Sequence, residues 1–544
     1  MVQGVLRTRG LDDVNNPPDA GSPGFEVMVP GSPESPGLGP IEELEASIMA
    51  APGGLRTAAA RSASVAGVTN IVVQAMQFVV YLILARLAPP AVFGVFAAGS
   101  ILQTFGEIFT ESGMTTAVLQ RRNRVDAAAA TALVSTFVGG VVLALVALAL
   151  SPLVGLYFHS HETGLVAAAL SGYLVVNGVT GVPGALLQRR FAVRRWLLEP
   201  IATLLFGVTS GVGLALGLGP WALVLGWYAS TVFRAIAFWA LVRWRPRFHL
   251  VSWRMWRELA AYGRHILATV LLGEAQRVTT TALVGRSLGT ADLARFRFGW
   301  RLASQATTPL LAANAYTIQP TLVRLADTPA RARAAVVTSF RIVCFVAFPL
   351  GAAFIPFGHM IAVLMLGETW RGVGPILVAL APMAMATALT SVPNEIFKAS
   401  GHPHLLPRTH GLWTVSSVVF MFALIPFGAQ GVAWAWSAST VLAGLYSLGM
   451  TPTATGVRRS ELAKAIVPPL VIALATAGVV VLVDRLGFGA HPHADLATLV
   501  RLLAESALGL AVYLTLVAIF ARETLRAFGS AVAALRSRSR PAAA

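Results

Sequence analysis

The apolar stretch between Phe93 and Arg124 contains polar side chains that could bind an ion or a polar ligand. Gln103, Glu107 and Glu111 are spaced four residues apart, so a helix places them on one face. A charged side chain at the centre of a bilayer costs about 2.5–3.5 kcal/mol on the insertion scale, and such residues usually face a protein interior or a wet cavity. The stretch therefore predicts a membrane-spanning helix whose polar face is covered by other helices.

Three other predicted spans carry polar residues at helical spacing. These residues are Asn70, Gln74, Gln77 and Tyr81 on the first span, Glu274, Gln276 and Arg277 on the seventh, and Arg301, Gln305 and Thr308 on the eighth, with Arg297 just before it. The four spans are the first two of each six-helix half described below. Transporters built from repeats place a central site between such helices, so we expect these residues to line one cavity.

Two roles are predicted for these side chains. The candidate ligand-binding residues are Arg277, Arg301, Gln74, Gln77, Gln103 and Gln305, and the candidates for binding a coupling H⁺ or Na⁺ are Glu107 and Glu274. Structural alternatives remain open for three of them. Glu274 and Arg277 could neutralise each other across one helical turn, Arg301 could reach the membrane surface, and Glu107 could only hydrogen-bond to the first helix.

Composition limits the class of protein. The chain has 544 residues, of which 56% are hydrophobic and 12% are charged, values that exclude an ordinary soluble globule. The net charge of +17 comes from short basic clusters between apolar runs, which indicates membrane topology rather than nucleic-acid binding. The single cysteine, Cys344, excludes an internal disulfide and a cysteine-rich metal site.

The chain is predicted to be an all-α polytopic membrane protein with about 14 transmembrane helices. The apolar runs lie near residues 63–84, 92–113, 127–150, 164–187, 197–218, 220–242, 265–285, 298–320, 342–363, 373–393, 409–427, 429–450, 465–484 and 502–521. Lys and Arg concentrate in alternate loops. By the positive-inside rule, this predicts that both termini lie in the cytoplasm.

An internal repeat organises these spans. LGPWALVLGWYASTVF (218–233) aligns with FGAQGVAWAWSASTVL (427–442), so that Trp227 corresponds to Trp436. Six spans per repeat keep the orientation, which predicts two six-helix lobes related by a pseudo-two-fold axis along the membrane normal. The predicted units are a disordered cytoplasmic tail (1–61), an N-lobe of helices 1–6 (62–243), an amphipathic cytoplasmic linker (244–264), a C-lobe of helices 7–12 (265–450), two extra helices (465–521) and a basic cytoplasmic tail (522–544). Whether translation starts at Met1 or Met49 is left open.

Motifs for enzymatic chemistry are missing from the sequence. It contains no Walker A string, no GxSxG elbow and no HExxH zinc motif. The predicted outer loops are also too short to carry a catalytic domain. We therefore expect a non-enzyme without a cofactor, apart from H⁺ or Na⁺ if transport is ion-coupled.

Several segments resemble the bacterial polysaccharide transporter (oligosaccharide flippase) family of the multidrug/oligosaccharidyl-lipid/polysaccharide exporter superfamily. They are ARLAPPAVFGVFA (85–97), ESGMTTAVLQRR (111–122), ALLQRRF (185–191), VGRSLGTADLARF (284–296), LMLGETWRGVGPILVALAP (364–382) and FKASGHP (397–403). The resemblance implies a location in the bacterial cytoplasmic (inner) membrane. It also implies alternating-access transfer of an undecaprenyl-diphosphate-linked oligosaccharide from the inner to the outer leaflet, for exopolysaccharide, capsule or O-antigen of lipopolysaccharide. It implies as partners this lipid-linked oligosaccharide and the bilayer, with a polysaccharide polymerase and export machinery as further candidates, and no nucleic acid.

One position departs from the family pattern. Arg277 matches a family arginine, but Thr280 stands where family members often have an aspartate, so Glu274 or Glu107 would have to replace that carboxylate. Two other functions stay open: a multidrug/cation antiporter of the same superfamily, and a membrane-bound polysaccharide polymerase or assembly enzyme. The sequence leaves the sugar repeat unit, the coupling ion and the oligomeric state undetermined.

Overall fold

A computed structural model describes residues 54–529, apart from 112–113, 122, 191–192, 326–327, 403 and 488–491. Between residues 54 and 520 the described chain forms eighteen α-helices and three short 3₁₀ turns, with no β-strand in this part of the chain. Nearly all of the predicted N-terminal tail lies outside the described residues. The predicted basic tail is described only to residue 529, and 522–529 are helical.

In the part of the chain described up to residue 242, nine helices form the N-terminal half. They are α1 (Gly54–Leu87), α2 (Pro90–Gly99), α3 (Ile101–Glu111), α4 (Met114–Gln120), α5 (Val125–Tyr157), α6 (His161–Ser171), α7 (Tyr173–Arg189), α8 (Val193–Ala215) and α9 (Pro220–Val242).

The C-terminal half and the two helices after it follow. They are α10 (Trp253–Ser287), α11 (Thr290–Arg324), α12 (Pro329–Ala352), α13 (Phe354–Leu366), α14 (Val373–Ala399), α15 (Leu405–Leu424), α16 (Gly428–Thr455), α17 (Arg459–Gly487) and α18 (Leu496–Phe520).

Each predicted span coincides with one helix or with two consecutive helices. Among the described residues, ten helical segments are long and apolar enough to cross a membrane, or eleven when the bent pair α2–α3 counts as one span. One of these segments, Leu405–Thr455, contains both α15 and α16. The helices α10 and α11 are not among the ten, since polar and charged side chains lower their hydropathy. The fold is thus consistent with fourteen spans.

The second predicted span, 92–113, is not one continuous helix. It is bent by 41° between α2 and α3, at Ser100. The Ser100 hydroxyl donates a hydrogen bond to the Ala97 carbonyl (3.0 Å), a local bond that competes with regular helix geometry. The bend directs α3 along a new axis, and α3 carries the polar face of this span.

The predicted linker helix and the seventh span form a single helix. Residues 243–252 are not α-helical, and α10 then continues for 35 residues, across the predicted boundary at 264/265. The helix starts where the Ser252 side chain accepts a hydrogen bond from the Met255 backbone N–H (3.2 Å). It contains no proline that would interrupt it, which explains its length.

The two copies of the sequence repeat have the same local backbone and hydrogen-bond geometry. Gly219 and Gly428 both have positive φ (55° and 72°) in equivalent turns before α9 and α16. In α9 the hydroxyls of Ser230 and Thr231 donate to the Trp227 carbonyl. In α16 the equivalent Ser439 and Thr440 donate to the Trp436 carbonyl, at nearly the same distances.

The two halves meet tightly at the end of the bundle that holds the α1–α2 and α10–α11 turns. Gly94 lies against the Thr290 backbone so closely that a Cβ atom at residue 94 would overlap the carbonyl. The Trp370 indole donates to the Ala85 carbonyl (2.8 Å), and the Phe93 ring packs edge-on against Trp370 (5.6 Å between centroids). We call this contact the closed end.

The other end carries the arginine-rich loops, and we call it the basic end. Here the connection between the halves is fixed to the N-terminal half. The Trp244 indole donates to the Asp126 carboxylate (3.0 Å), and Arg121 forms an ion pair with Glu258 on α10 (2.8 Å).

The last two helices attach to the C-terminal half. The Tyr513 hydroxyl on α18 donates to the Phe345 carbonyl on α12 (2.8 Å). Arg501 on α18 pairs with Asp484 on α17 and with Glu505 (3.0 Å), so this buried charge cluster joins the two helices.

Candidate functional site

A cavity of about 690 Å³ lies between the two halves. Its walls come from α1–α3, α8 and α9 of the N-terminal half and from α10, α11, α15 and α16 of the C-terminal half. Seven of the eight predicted site residues line it: Gln74, Gln103, Glu107, Glu274, Arg277, Arg301 and Gln305. Gln77 is the exception and does not line the cavity. The four polar stripes seen in the sequence thus face one cavity, to which α8, α9, α15 and α16 also contribute.

The polar face of α3 forms one side of the cavity. Gln103 is 4% exposed, and its Nε2 donates to Glu107 Oε1 (3.1 Å). This bond connects two turns of the same helix rather than α3 to α1. A helix neighbour thus orients the Glu107 carboxylate, which lines the cavity wall.

Glu274 and Arg277 adopt the paired arrangement that the sequence left open. Arg277 Nε lies 2.5 Å from Glu274 Oε2 across one turn of α10. Because this carboxylate already balances the guanidinium charge, Arg277 is less available to an anionic ligand than a free arginine would be.

Arg301 points along the cavity wall rather than to the membrane surface. Its guanidinium carbon lies 3.8 Å from the centroid of the Tyr81 ring on α1, a cation–π contact. Its Nε is buried and has no hydrogen-bond partner among the described residues. The cation is held in place, yet part of its hydrogen-bonding capacity is unused.

Arg297, one turn before Arg301 on α11, is a cavity residue that the sequence argument placed only at the edge of the span. It also lines the cavity, and its Nη1 makes only a long contact with the Ala97 carbonyl (3.5 Å). In the described part of the chain, no carboxylate lies within ion-pair distance of Arg297 or Arg301. Two cations on one face of α11, neither of them in a direct ion pair within the described structure, form a site suited to an anion.

Aromatic rings form most of the remaining wall, and the sequence argument did not include them. They are Phe96, Phe206, Phe296, Phe298, Trp227, Trp300, Trp413 and Trp436. Aromatic residues in an apolar run look like membrane-buried packing, so composition gives no signal for them. The repeat did contain a signal, since the matched Trp227 and Trp436 both line the cavity.

Both of these tryptophans offer hydrogen-bond donors. The indole Nε1 atoms of Trp227 and Trp436 are buried without a partner among the described residues. Trp436 is surrounded by the rings of Phe296, Trp300 and Trp413, with centroid distances of 5.7–5.9 Å. The wall is therefore rigid and apolar with a few polar donors, a combination typical of ligand sites.

Thr280 lies in the wall at the position where an aspartate was expected from the family pattern. Its hydroxyl donates to the Gln276 carbonyl (2.8 Å), and both amide atoms of the buried Gln276 side chain lack partners in the described structure. Among the described residues, no group of three or more His, Cys, Asp or Glu side chains could hold a metal ion.

Comparison with known proteins identifies the family. The family model described as "Polysaccharide biosynthesis protein" matches residues 83–375, more than half of the chain. The chain belongs to this family. A curated relative, the succinoglycan biosynthesis transport protein ExoT of Rhizobium meliloti (strain 1021), is 24% identical over 495 residues, which cover 86% of this chain and 94% of the relative.

Solved structures show the same fold. The lipid II flippase MurJ in an inward closed conformation superposes with a TM-score of 0.67 at 13% identity, covering 85% of this chain and 99% of MurJ. An inward-facing multidrug resistance MATE family transporter of the MOP superfamily superposes with a TM-score of 0.56 at 16% identity, covering 70% and 94%. The predicted family and fold class are confirmed. The chain is a multi-pass membrane protein of a polysaccharide biosynthesis family, and the relatives that it resembles are transporters rather than enzymes.

Proposed function

We propose that this protein moves an undecaprenyl-diphosphate-linked oligosaccharide from the inner to the outer leaflet of the bacterial cytoplasmic membrane, for exopolysaccharide, capsule or O-antigen assembly. The proposal rests on Arg297 and Arg301, which line a cavity that is closed at one end. Neither cation has a carboxylate within ion-pair distance among the described residues.

The chemistry of a lipid diphosphate fits this pair. Guanidinium groups donate two parallel hydrogen bonds to a phosphate and keep their charge at any physiological pH. Arg297 and Arg301 are four residues apart on α11, so both face the same ligand. The diphosphate would bind here, while the apolar polyprenyl chain stays in the bilayer.

The aromatic wall suits the sugar part of the substrate. Sugar rings have apolar C–H faces that pack on aromatic rings, and their hydroxyl oxygens accept hydrogen bonds. The unpartnered indole N–H groups of Trp227 and Trp436 provide such donors. A cavity of about 690 Å³ lies within the roughly 300–1,000 Å³ of small-molecule sites.

The same charges argue against the alternative of a multidrug/cation antiporter. Among the described residues, three arginines and two glutamates line the cavity, and one of these glutamates is already paired with Arg277. A cationic drug would meet Arg297 and Arg301 without a matching excess of carboxylates. The other alternative, a polymerase or assembly enzyme, is disfavoured because the curated relative ExoT is a transport protein.

The closed end gives the direction of loading. If the basic end faces the cytoplasm, as the positive-inside rule predicts, the contact of Gly94 with Thr290 and of Trp370 with Ala85 closes the cavity towards the outside. This conformation would receive substrate from the inner leaflet. Opening of the closed end would then release it on the outer side, as alternating access requires.

Glu107 is our proposed coupling residue, and Glu274 the second candidate. Both carboxylates line the cavity; Glu274 is held by Arg277 at 2.5 Å, and Glu107 accepts a hydrogen bond from the Gln103 amide at 3.1 Å. A carboxylate already paired with an arginine binds H⁺ or Na⁺ less readily, which makes Glu274 the second choice. Substrate occupancy near Glu107 would change that binding.

The proposal is tested by deletion and by reconstitution. Deletion of the gene should leave lipid-linked saccharide units on the inner leaflet, detected by their inaccessibility to an external glycosidase in intact spheroplasts. Accumulation of unpolymerised units on the outer side would instead contradict the proposal and indicate a polymerisation defect. In vesicles, purified protein should move the extracted lipid between leaflets, and Arg297→Ala/Arg301→Ala should abolish this movement.

A further inference from the structure

A second pocket lies inside the N-terminal half, between α4, α7, α8 and α9. Its volume is about 300 Å³, at the lower end of the range for small-molecule sites. Most of its lining side chains can form hydrogen bonds. The ones that matter here are Asn177, Thr180, Gln188, Glu199, Thr231 and Arg234.

This pocket and the main cavity lie next to each other along one face of α9. Trp227 lines the main cavity, whereas Thr231, Arg234 and Phe238 line the second pocket. The steps of four, three and four residues place all four on one side of the helix. Arg234 lies seven residues beyond Trp227, about 10 Å along the helix axis towards the basic end. The pocket is therefore a neighbour of the cavity along a continuous wall.

The charges in this pocket are loosely paired. Arg234 Nη1 and Glu199 Oε2 are 3.9 Å apart, too far for a direct hydrogen bond. Arg234 Nε is buried and has no hydrogen-bond partner among the described residues. Arg234 can therefore still donate hydrogen bonds to a ligand, and the neighbouring Glu199 carboxylate can still accept them.

The internal repeat shows that helix packing does not require these side chains. In α16 the positions equivalent to Arg234 and Phe238 are Ala443 and Ser447, at the same offset that relates Trp227 to Trp436. The equivalent helix α16 therefore packs in the C-terminal half without a charge or an aromatic ring at these two positions. An ionisable side chain inside a membrane bundle that the equivalent helix lacks is a candidate functional residue.

The ligand must both donate and accept hydrogen bonds over a short distance. An anion would be repelled by Glu199, a cation would leave Arg234 without an acceptor, and an apolar group would leave both charges desolvated. Each hydroxyl of a sugar donates one hydrogen bond and accepts others, so neighbouring hydroxyls match an adjacent carboxylate and guanidinium. Thr180 and Thr231 donate to their own helix backbone, so their oxygens can accept from such a ligand.

We propose that this pocket is a subsite for one sugar residue of the transported saccharide, beyond the sugar nearest the diphosphate. The inference rests on the proposed function, because it requires a lipid-linked saccharide in the main cavity. With the diphosphate on Arg297 and Arg301, a saccharide of several residues extends along the α9 face and reaches Arg234.

The test compares two lengths of saccharide on the same lipid. The probe is the lipid-linked saccharide that accumulates when this gene is deleted, used whole and after enzymatic trimming to its first sugar. Binding to purified protein in lipid nanodiscs is measured by titration. Arg234→Ala should weaken binding of the whole saccharide by about tenfold or more, the loss of one or two hydrogen bonds to a charged group, and leave the one-sugar lipid unchanged.

Two further variants keep the result interpretable. Arg234→Ala leaves Glu199 without its cation, so a second variant guards against a folding defect. Gln188 lines the pocket with an exposed side chain, and Gln188→Ala should weaken binding of the whole saccharide while leaving the one-sugar lipid unchanged. Ile236→Ala is the matched control, because Ile236 is on α9 but 66% exposed and outside the pocket.

The outcomes separate this inference from the proposed function. Equal loss for both lipids, or no loss for either, overturns the subsite. Failure of the unmodified protein to bind either lipid, or absence of any accumulated lipid-linked saccharide in the deletion strain, overturns the proposed function and the subsite with it.

Discussion

Replacing Arg301 tests the anion site most directly. Arg301→Ala removes a guanidinium that has no described carboxylate partner and that lies 3.8 Å from the Tyr81 ring. Two charge-assisted hydrogen bonds to a phosphate should be lost, about 3 kcal/mol in total, or about 150-fold in Kd. Arg301→Lys keeps the charge but loses the planar, bidentate geometry, so it should cost only about tenfold.

The effect of this substitution on folding should be small. The structure shows one cation–π contact for Arg301, worth about 1 kcal/mol. Protein level and thermal midpoint should therefore remain close to those of the unmodified protein. Arg254→Ala is the matched control, because it also removes one positive charge but its side chain is 90% exposed at the basic end.

The assay is titration of purified protein in nanodiscs with the extracted lipid-linked saccharide. The expected order of affinity is unmodified protein and Arg254→Ala first, then Arg301→Lys, then Arg301→Ala. If Arg301→Ala and Arg254→Ala bind equally well, the cavity does not hold the diphosphate at α11, and the reasoning from uncompensated charge is wrong.

Arg277 provides an internal comparison. Its charge is paired with Glu274 at 2.5 Å, so Arg277→Ala removes a structural ion pair as well as a cation. Because these side chains are 42% and 33% exposed, we expect Arg277→Ala to reduce stability by no more than about 1 kcal/mol and to lose less affinity than Arg301→Ala. Thermal unfolding and titration of the same samples measure the two effects separately. A larger loss of affinity with Arg277→Ala than with Arg301→Ala would assign the diphosphate to α10.

Three further predictions concern coupling, the closed end and the basic end. Glu107→Gln keeps the hydrogen bond with Gln103 but removes the titratable charge, so flipping in vesicles should lose its dependence on an H⁺ or Na⁺ gradient; equal gradient dependence in the variant would exclude Glu107. Gly94→Val places a side chain into the Thr290 backbone and should separate the two halves at the closed end. Cross-linking between two cysteines introduced on opposite sides of this contact should therefore decrease sharply. Unchanged cross-linking would contradict the close approach. A hydrogen bond from Arg121 lowers the pKa of Glu258 below its ordinary value of 4.5. The ion pair thus stabilises the folded protein above that value and is lost as the pH falls through the lowered pKa. Thermal unfolding of the unmodified protein and Glu258→Gln should therefore differ at pH 7, by less than about 1 kcal/mol for this exposed pair, and converge in acid.

Several features of this protein were fixed by local sequence chemistry. Apolar runs of spanning length determine helices in a membrane, because backbone groups in hydrocarbon must be hydrogen-bonded within the chain. Carboxylates and amides at helical spacing marked the spans that line the cavity, since polar groups in such spans must face a protein interior. Gln103, Glu107, Glu274 and Arg301 were found in this way, and all of them line the cavity.

Other features depended on contacts between distant parts of the chain. Spacing on α10 left two roles open for Arg277, and only the observed distance to Glu274 showed that its charge is balanced. Spacing likewise placed Gln77 on the polar stripe of α1, but the packing of neighbouring helices leaves it outside the cavity wall. Whether a side chain faces a cavity depends on the rotation and tilt of its helix, which the surrounding helices determine.

The aromatic wall and the second pocket are features that the sequence did not predict, again because they depend on how the helices pack. A tryptophan in an apolar span has one sequence signature, whether it packs in the core or lines a cavity, because both environments are apolar. Arg234 and Glu199 are 35 positions apart in sequence and show no shared pattern, yet the antiparallel packing of α8 and α9 brings their charged groups to 3.9 Å. The sequence determined which helices form and which of them carry polar faces; only the tertiary structure decided which side chains meet, because that depends on how the helices are rotated and tilted against one another.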